Sequence, residues 1–268
     1  MIKRFLFILI PILALTISCG KFSKLVKSSD YKLKLVKARE YFDKKDYYHA
    51  QMLFDELIPL YKGQPEEEEI YFYFCYCNYN QGDFSLAGYH FRNFVRTFPQ
   101  SVHAESCSFM SALCYYHNSP QYTLDQTDTK NAILELQEFV NNYPTSTKLD
   151  TANILVSRLR LKLETKYYEI TKQYFHINDY KAAITSCNIY VKDYPDAKFV
   201  EEINYINIKA NYLLAANSIV SKKLVRLNAA IETYRKFVDL YPASKWADDA
   251  KFIYESCLKM KENLLKGA

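Results

Sequence analysis

Apolar residues recur along this chain in a single helical stripe, repeated five times. Each copy begins at an alanine and reaches an aromatic residue eleven positions later: Ala50/Tyr61, Ala87/Phe98, Ala132/Tyr143, Ala183/Tyr194 and Ala230/Tyr241. Between them, side chains four, seven and eight positions after the alanine read Phe54-Leu57-Ile58, Phe91-Phe94-Val95, Leu136-Phe139-Val140, Cys187-Tyr190-Val191 and Tyr234-Phe237-Val238. Those offsets fall on one face of an α-helix, so each copy predicts one amphipathic helix. In four copies the aromatic residue precedes a proline, at Pro99, Pro144, Pro195 and Pro242, which closes the helix. The copies recur at intervals of 37 to 51 residues, the mark of a helical solenoid whose units bury their stripes against one another. Such a chain is first of all a surface for binding other proteins.

Each striped helix (B) needs a partner (A). The A helices are expected near 31–45, 66–81, 102–117, 147–177 and 198–221, and the B helices near 47–61, 84–97, 129–142, 180–193 and 227–240, with a final helix at 245–265. Breakers separate A from B at Lys45-Asp46, Gly82-Asp83 and Asn178-Asp179. Asp46, Asp83, Asp128 and Asp179 each stand four residues before the repeat alanine, where aspartate caps a helix N-terminus. They therefore read as structural, and the alanines as the small residues that let paired helices approach. Two spacings depart from regularity. The third A–B connection swells between Asn118 and Thr129, and no glycine or proline interrupts 145–194, so the fourth A helix could run long. The expected division is an N-terminal lobe at 31–146 and a C-terminal lobe at 147–268.

The first residues change the picture from a cytosolic to an exported chain. Met1-Ile2-Lys3-Arg4 precede an apolar run of thirteen residues, Phe5 to Ile17, and then Ser18-Cys19-Gly20. That run is shorter than the roughly 20 residues a spanning helix needs, and it fits an export signal at 1–18. A small residue before a cysteine resembles a bacterial lipobox, with Cys19 as the lipidated first residue of the mature protein. Leu15 stands four residues before Cys19, where lipoboxes usually carry leucine three before; an ordinary secretory signal is the alternative. Residues 19–30, polar and basic after Cys19, read as a tether.

With Lys3 and Arg4 removed, 33 basic residues face 30 acidic ones, net +3. Apart from an acidic run at Glu66–Glu69 and a small basic cluster at Lys222, Lys223 and Arg226, the signs are interspersed. No basic stripe tracks a phosphate backbone, so nucleic acid is not an expected partner. The six cysteines after Cys19 are even in number, which invites disulfides in an exported protein. Most fall within helical patterns, however, and read as buried free thiols. His103, Cys107, Cys114 and His117 form a nominal zinc set, but a rise of about 1.5 Å per residue separates its ends by roughly 21 Å, beyond the reach of one ion. No metal or cofactor is expected. With five glycines, no phosphate-cradling loop, no nucleophile elbow and no zinc-protease pair, neither is catalysis.

Beyond generic repeats, the combination resembles the BamD family of outer-membrane assembly lipoproteins. The residues that carry the resemblance are the charged stretch Arg158 to Ile170, then Asp179-Tyr180-Lys181-Ala182-Ala183-Ile184, ending in Val191-Lys192-Asp193-Tyr194-Pro195-Asp196. Gly82-Asp83-Phe84 and Phe94 to Pro99 are similar to the family's second unit, though its proline-histidine tail is absent. The resemblance spans 31–265 and implies a non-catalytic scaffold, lipid-anchored in the outer membrane and facing the periplasm. It implies that the C-terminal repeats dock the POTRA region of a BamA-type barrel protein beside other assembly lipoproteins. It also implies that the N-terminal repeats receive unfolded β-barrel substrates. Ile70 to Tyr79, on the second A helix, is aromatic nearly all round; one side must be core, and the other could form a groove for extended strands, with Tyr71 and Tyr73 as its residues. No docking residue of the last repeat stands out. A tetratricopeptide lipoprotein coordinating cell-wall synthesis or envelope constriction is the alternative, although no heptad run precedes the repeats. A glycan-binding lipoprotein is disfavoured by the single tryptophan, Trp246.

Overall fold

The structure, a computed structural model, describes residues 20–266, so the expected export signal and Cys19 lie outside the described residues. Those residues form an all-α fold of tetratricopeptide-type helix pairs. The helices are α1 (Tyr31–Asp43), α2 (Tyr47–Leu57), α3 (Glu67–Asn80), α4 (Phe84–Thr97), α5 (Ala104–Asn118), α6 (Thr127–Asn142), α7 (Leu149–His176), α8 (Tyr180–Asp193), α9 (Val200–Ala216), α10 (Val220–Leu240) and α11 (Ala247–Lys266). A further helical stretch covers 20–26. Among the described residues there is no strand, and no helix is long and apolar enough to cross a membrane.

Three A–B turns share one hydrogen-bonding scheme, and the sequence explains it. Lys45, Gly82 and Asn178 hold φ near 60, 82 and 63, the left-handed conformation that ends a helix. The amide of the following aspartate then reaches back to the helix: Asp46 N–H donates to Tyr41 O at 2.9 Å, Asp83 to Asn78 O at 3.1 Å and Asp179 to Tyr174 O at 3.0 Å. This is the Schellman closure. The same aspartate caps the next helix, accepting from His49, Leu86 and Ala182 amides respectively. One residue thus terminates an A helix and starts a B helix. Asp128 departs from this expectation. Helix α6 begins at Thr127, two residues before the expected 129, which leaves Asp128 inside its first turn, where a carboxylate still favours the helix dipole.

The B helices end as the pattern predicts. Phe98, Tyr194 and Tyr241 leave the helix at φ between −123 and −136, because a residue before proline is pushed out of the α region. Each aromatic ring lies on the stripe residue one turn before it: Phe94–Phe98 at 5.1 Å, Phe139–Tyr143 at 5.5 Å, Tyr190–Tyr194 at 5.4 Å and Phe237–Tyr241 at 5.4 Å. In the first unit α2 stops at Leu57, short of the expected 61, since Pro59 supplies no amide to extend it. The fifth pair also differs from expectation. Helix α9 ends at Ala216, and Asn217-Ser218-Ile219 turns directly into a 21-residue α10. The cluster at Lys222, Lys223 and Arg226 therefore belongs to the B helix.

All five repeat alanines are buried, and so are the stripe residues Phe54, Phe91, Phe94, Leu136, Phe139, Cys187, Tyr190 and Phe237. The chain divides into two compact units, one comprising residues up to Pro120 with Thr127–Val156, the other Gln121–Gln126 with Ser157 onward. The division falls inside the 28-residue α7. Loop 121–126 belongs to the second unit because Lys166 Nζ donates to the carbonyls of Tyr122 and Leu124, at 3.1 and 2.7 Å. Within that loop the Gln126 amide donates to the carbonyls of Gln121 and Leu124, at 2.8 and 3.0 Å.

Residues 20–26 are not an extended tether. Phe22, Leu25 and Val26 pack on the core of α1, α2 and α3, with the Phe22 ring 5.6 Å from Tyr41 and 4.1 Å from His49. Lys34, only 1% exposed, donates to Val26 O at 2.7 Å and pairs with Glu56 at 2.5 Å. Its ammonium satisfies a terminal carbonyl of the first helical stretch. A spacing of three and four residues gave that stretch an apolar face, and the first helix pair offered somewhere to bury it.

Candidate interaction surfaces

Helix α3 carries the aromatic run. None of residues 70–79 is exposed, because a helix apolar on every side must be covered on every side. Tyr71 leans towards α4: its ring lies 6.2 Å from Phe94, and its hydroxyl is 3.0 Å from His90 Nδ1. Burial holds the phenol well above its ordinary pKa and lowers that of His90, so both groups stay neutral and share one hydrogen bond whose direction follows the imidazole tautomer. Tyr73 leans the other way, 4.7 Å from Phe42 and stacked 5.6 Å from Phe54. The two residues expected to line a groove are thus half-buried between helices, on opposite sides of α3. Phe72 meets His103 at 4.2 Å, and Tyr76 meets Phe91 at 5.0 Å.

The nominal zinc set is dispersed into this packing. His103 sits at the start of α5 against Phe72. His117, at its other end, stacks on Phe84 at 4.6 Å with Nε2 3.2 Å from the Tyr79 hydroxyl. Among the described residues no three metal-binding side chains are gathered. Cys75, Cys77, Cys107, Cys114, Cys187 and Cys257 are free and buried. Burial pushes the thiols of Cys107, Cys114 and Cys187 up to about 12, which removes them from nucleophilic chemistry.

The acidic run at the start of α3 is also structural. Glu67 accepts from the Gly63 amide at 2.7 Å, Glu68 from the Ser101 hydroxyl at 2.6 Å, and Glu69 pairs with Arg39 at 2.5 Å. Glu105 accepts from Ser146 at 2.7 Å in the same way, so the first turn of an A helix is tied to the turn that follows its B partner.

Exposed apolar side chains lie on other elements. In the first unit Tyr48 and Met52 project from α2, and Leu86 and Tyr89 from α4. In the second, Val225 projects from α10, while Phe252, 71% exposed, and Leu258 project from α11. Sequence reasoning missed these residues because the stripes point inward, and an isolated apolar residue on the opposite face carries no periodic signal. Large exposed rings are the kind of side chain that anchors protein contacts.

A family profile described as an outer membrane lipoprotein, YfiO, matches residues 31–227. The chain belongs to the YfiO family of outer membrane lipoproteins. The match on this YfiO-family chain runs from the first residue of α1 into α10, so it covers the repeat array rather than one motif. No curated protein matches it. Among solved structures, the TPR2AB domain of yeast Sti1, in a complex with pHSP90, is 12% identical, over 85% of this chain and 98% of that one, at a TM-score of 0.41. A tetratricopeptide repeat protein from Parabacteroides merdae is 9% identical, over 86% and 100%, at 0.27. Likenesses this weak carry no inference about the YfiO-family chain's partners.

Proposed function

We propose that this chain is the non-catalytic lipoprotein scaffold of a β-barrel assembly machine in the outer membrane, resembling BamD and anchored through an acylated Cys19 on the periplasmic side. In this reading the C-terminal repeats dock the POTRA region of a BamA-type barrel protein, and the N-terminal repeats receive unfolded barrel chains. The observation that carries it is the family match across the repeat array. The exposed residues of α11 support the docking half: Phe252 is the largest apolar side chain that helix leaves in solvent. The partial exposure of Tyr71 and Tyr73, with exposed Tyr48 and Tyr89 on the flanking helices, supports the receiving half.

The test is an affinity pull-down of the lipoprotein from mildly solubilised outer membranes, with its companions identified by mass spectrometry. A POTRA-containing barrel in near-equal amount supports the assembly reading. Cell-wall synthases or division proteins in its place would overturn it while leaving the fold untouched. Phe252→Ser sharpens the test: because the ring is exposed, stability should change by no more than about 0.5 kcal/mol, while recovery of the barrel partner should fall at least about tenfold. Undiminished recovery would move the docking face off α11.

A further inference from the structure

The docked N-terminal stretch forms one wall of a cleft. Lys21, Lys24, Leu25 and Ser28 face Leu33, Lys37, Glu40 and Tyr41 of α1, with its C-cap Lys44, across a space of about 640 Å³. Both walls follow helical spacing: offsets of three and four from Lys21 within the first helical stretch, with Ser28 just beyond it, and of four, seven, eight and eleven from Leu33. Four lysines therefore converge on a space holding one carboxylate. Glu40 is engaged by Lys37, with both oxygens at 2.9 Å, and that contact holds its carboxyl below the usual range. Lys21 and Lys24 have no ion-pair partner among the described residues. Leu25, Leu33 and Tyr41 supply the apolar part of the lining. The walls are held in register from behind, where Phe22 packs on Tyr41 and Lys34 ties Val26 to Glu56.

Covalent geometry sets where this cleft can be. Lys21 follows Cys19 by two residues, and two residues span at most roughly 7 Å. If Cys19 carries acyl chains, Lys21 stands at headgroup depth whatever conformation connects them. We propose that the cleft is a headgroup site: it takes the phosphate of an anionic phospholipid of the anchoring membrane, with Lys21 and Lys24 on the phosphate and Leu33 and Tyr41 against the glycerol and first methylenes. The first repeat is thereby seated directly on the bilayer instead of hanging from it. This inference rests on the acylation of Cys19 proposed above.

The test uses the chain from Gly20 onward, which contains every described residue and no acyl group, so that vesicle binding reports the cleft alone. Acylation is read separately, from the intact mass of the membrane-extracted protein, so failure of either reading is recognised by itself. Vesicles of phosphatidylcholine with phosphatidylglycerol should retain the chain, and vesicles of phosphatidylcholine alone should not. Lys21→Glu with Lys24→Glu should lower retention at least about tenfold, given roughly fivefold per lysine at an anionic surface. Lys222→Glu with Lys223→Glu, an equal change in charge on α10, should lower it by less than about twofold. Short-chain phosphatidylglycerol below its micelle concentration should compete, and inorganic phosphate at the same concentration should not. No retention on the mixed vesicles, an equal loss in both double variants, or equal competition by inorganic phosphate would each overturn the proposal. Lys21 and Lys24 are exposed, so an unchanged circular dichroism spectrum and melting midpoint certify the variant as folded.

Discussion

At the scale of single residues, what decides behaviour is how far each group is removed from water. The six buried cysteines should be silent towards Ellman's reagent in the native protein and all react once it is denatured; a fast-reacting native thiol would mean that one of them is not buried. His90 offers a pH test. Burial lowers its pKa from the ordinary 6.5, with the carboxylates of Asp55 and Asp83 opposing weakly. The folded state thus prefers the neutral ring, and its contribution is complete above the unfolded value and lost as pH falls through the lower folded one. Urea midpoints should drop between pH 7.5 and pH 5, and His90→Gln should reduce that drop; an unchanged drop would place the titration elsewhere. Three of the four expected capping aspartates, Asp46, Asp83 and Asp179, could be read from sequence because a cap bonds within three residues. The direction in which Tyr71 and Tyr73 lean could not, because it depends on α4 and α1, which lie distant along the chain.

At the scale of elements, the A–B turn is a repeated device made from different residues. Gly82 and Asn178 suit the left-handed position, whereas Lys45, at φ 60, does not. Lys45→Gly should therefore stabilise the first pair, by about 1 kcal/mol, measured as a shift in the chemical-denaturation midpoint; a loss of stability would show that the lysine side chain makes a compensating contact. Helix existence, type and most ends were legible because stripe, cap and pre-proline geometry are local. The start of α10 was not legible, because Val220 to Arg226 lacks a stripe of its own and is helical by continuity with the turn at Asn217. Likewise 20–26 read as a tether from its polar and basic residues, and seven residues are too few to form a stable helix alone; packing of Phe22, Leu25 and Val26 makes it one.

At the scale of the molecule, two compact units have their own cores, and the chain's one tryptophan reports on a single unit. Trp246 stacks on Tyr205 at 5.6 Å in the second. Ala132 is fully buried in the first, and Ala132→Leu should overpack its crossing by about 1–3 kcal/mol. Far-ultraviolet circular dichroism should then show an earlier transition while the tryptophan fluorescence midpoint stays in place. Coincident shifts would show that the units unfold as one.

By itself the sequence determined the repeat: five stripes, the prolines that close four of them and the aspartates that cap three are written in interactions that span at most a few turns of helix. It also placed the basic residues next to Cys19. Only the tertiary structure decided which rings of an all-apolar helix stay accessible and which residues beyond the stripes face solvent. It alone brought Lys21 and Lys24 opposite Lys37 and Lys44. Those outcomes depend on which surfaces meet, and the meeting of surfaces is set by shape and burial between helices rather than by spacing along one.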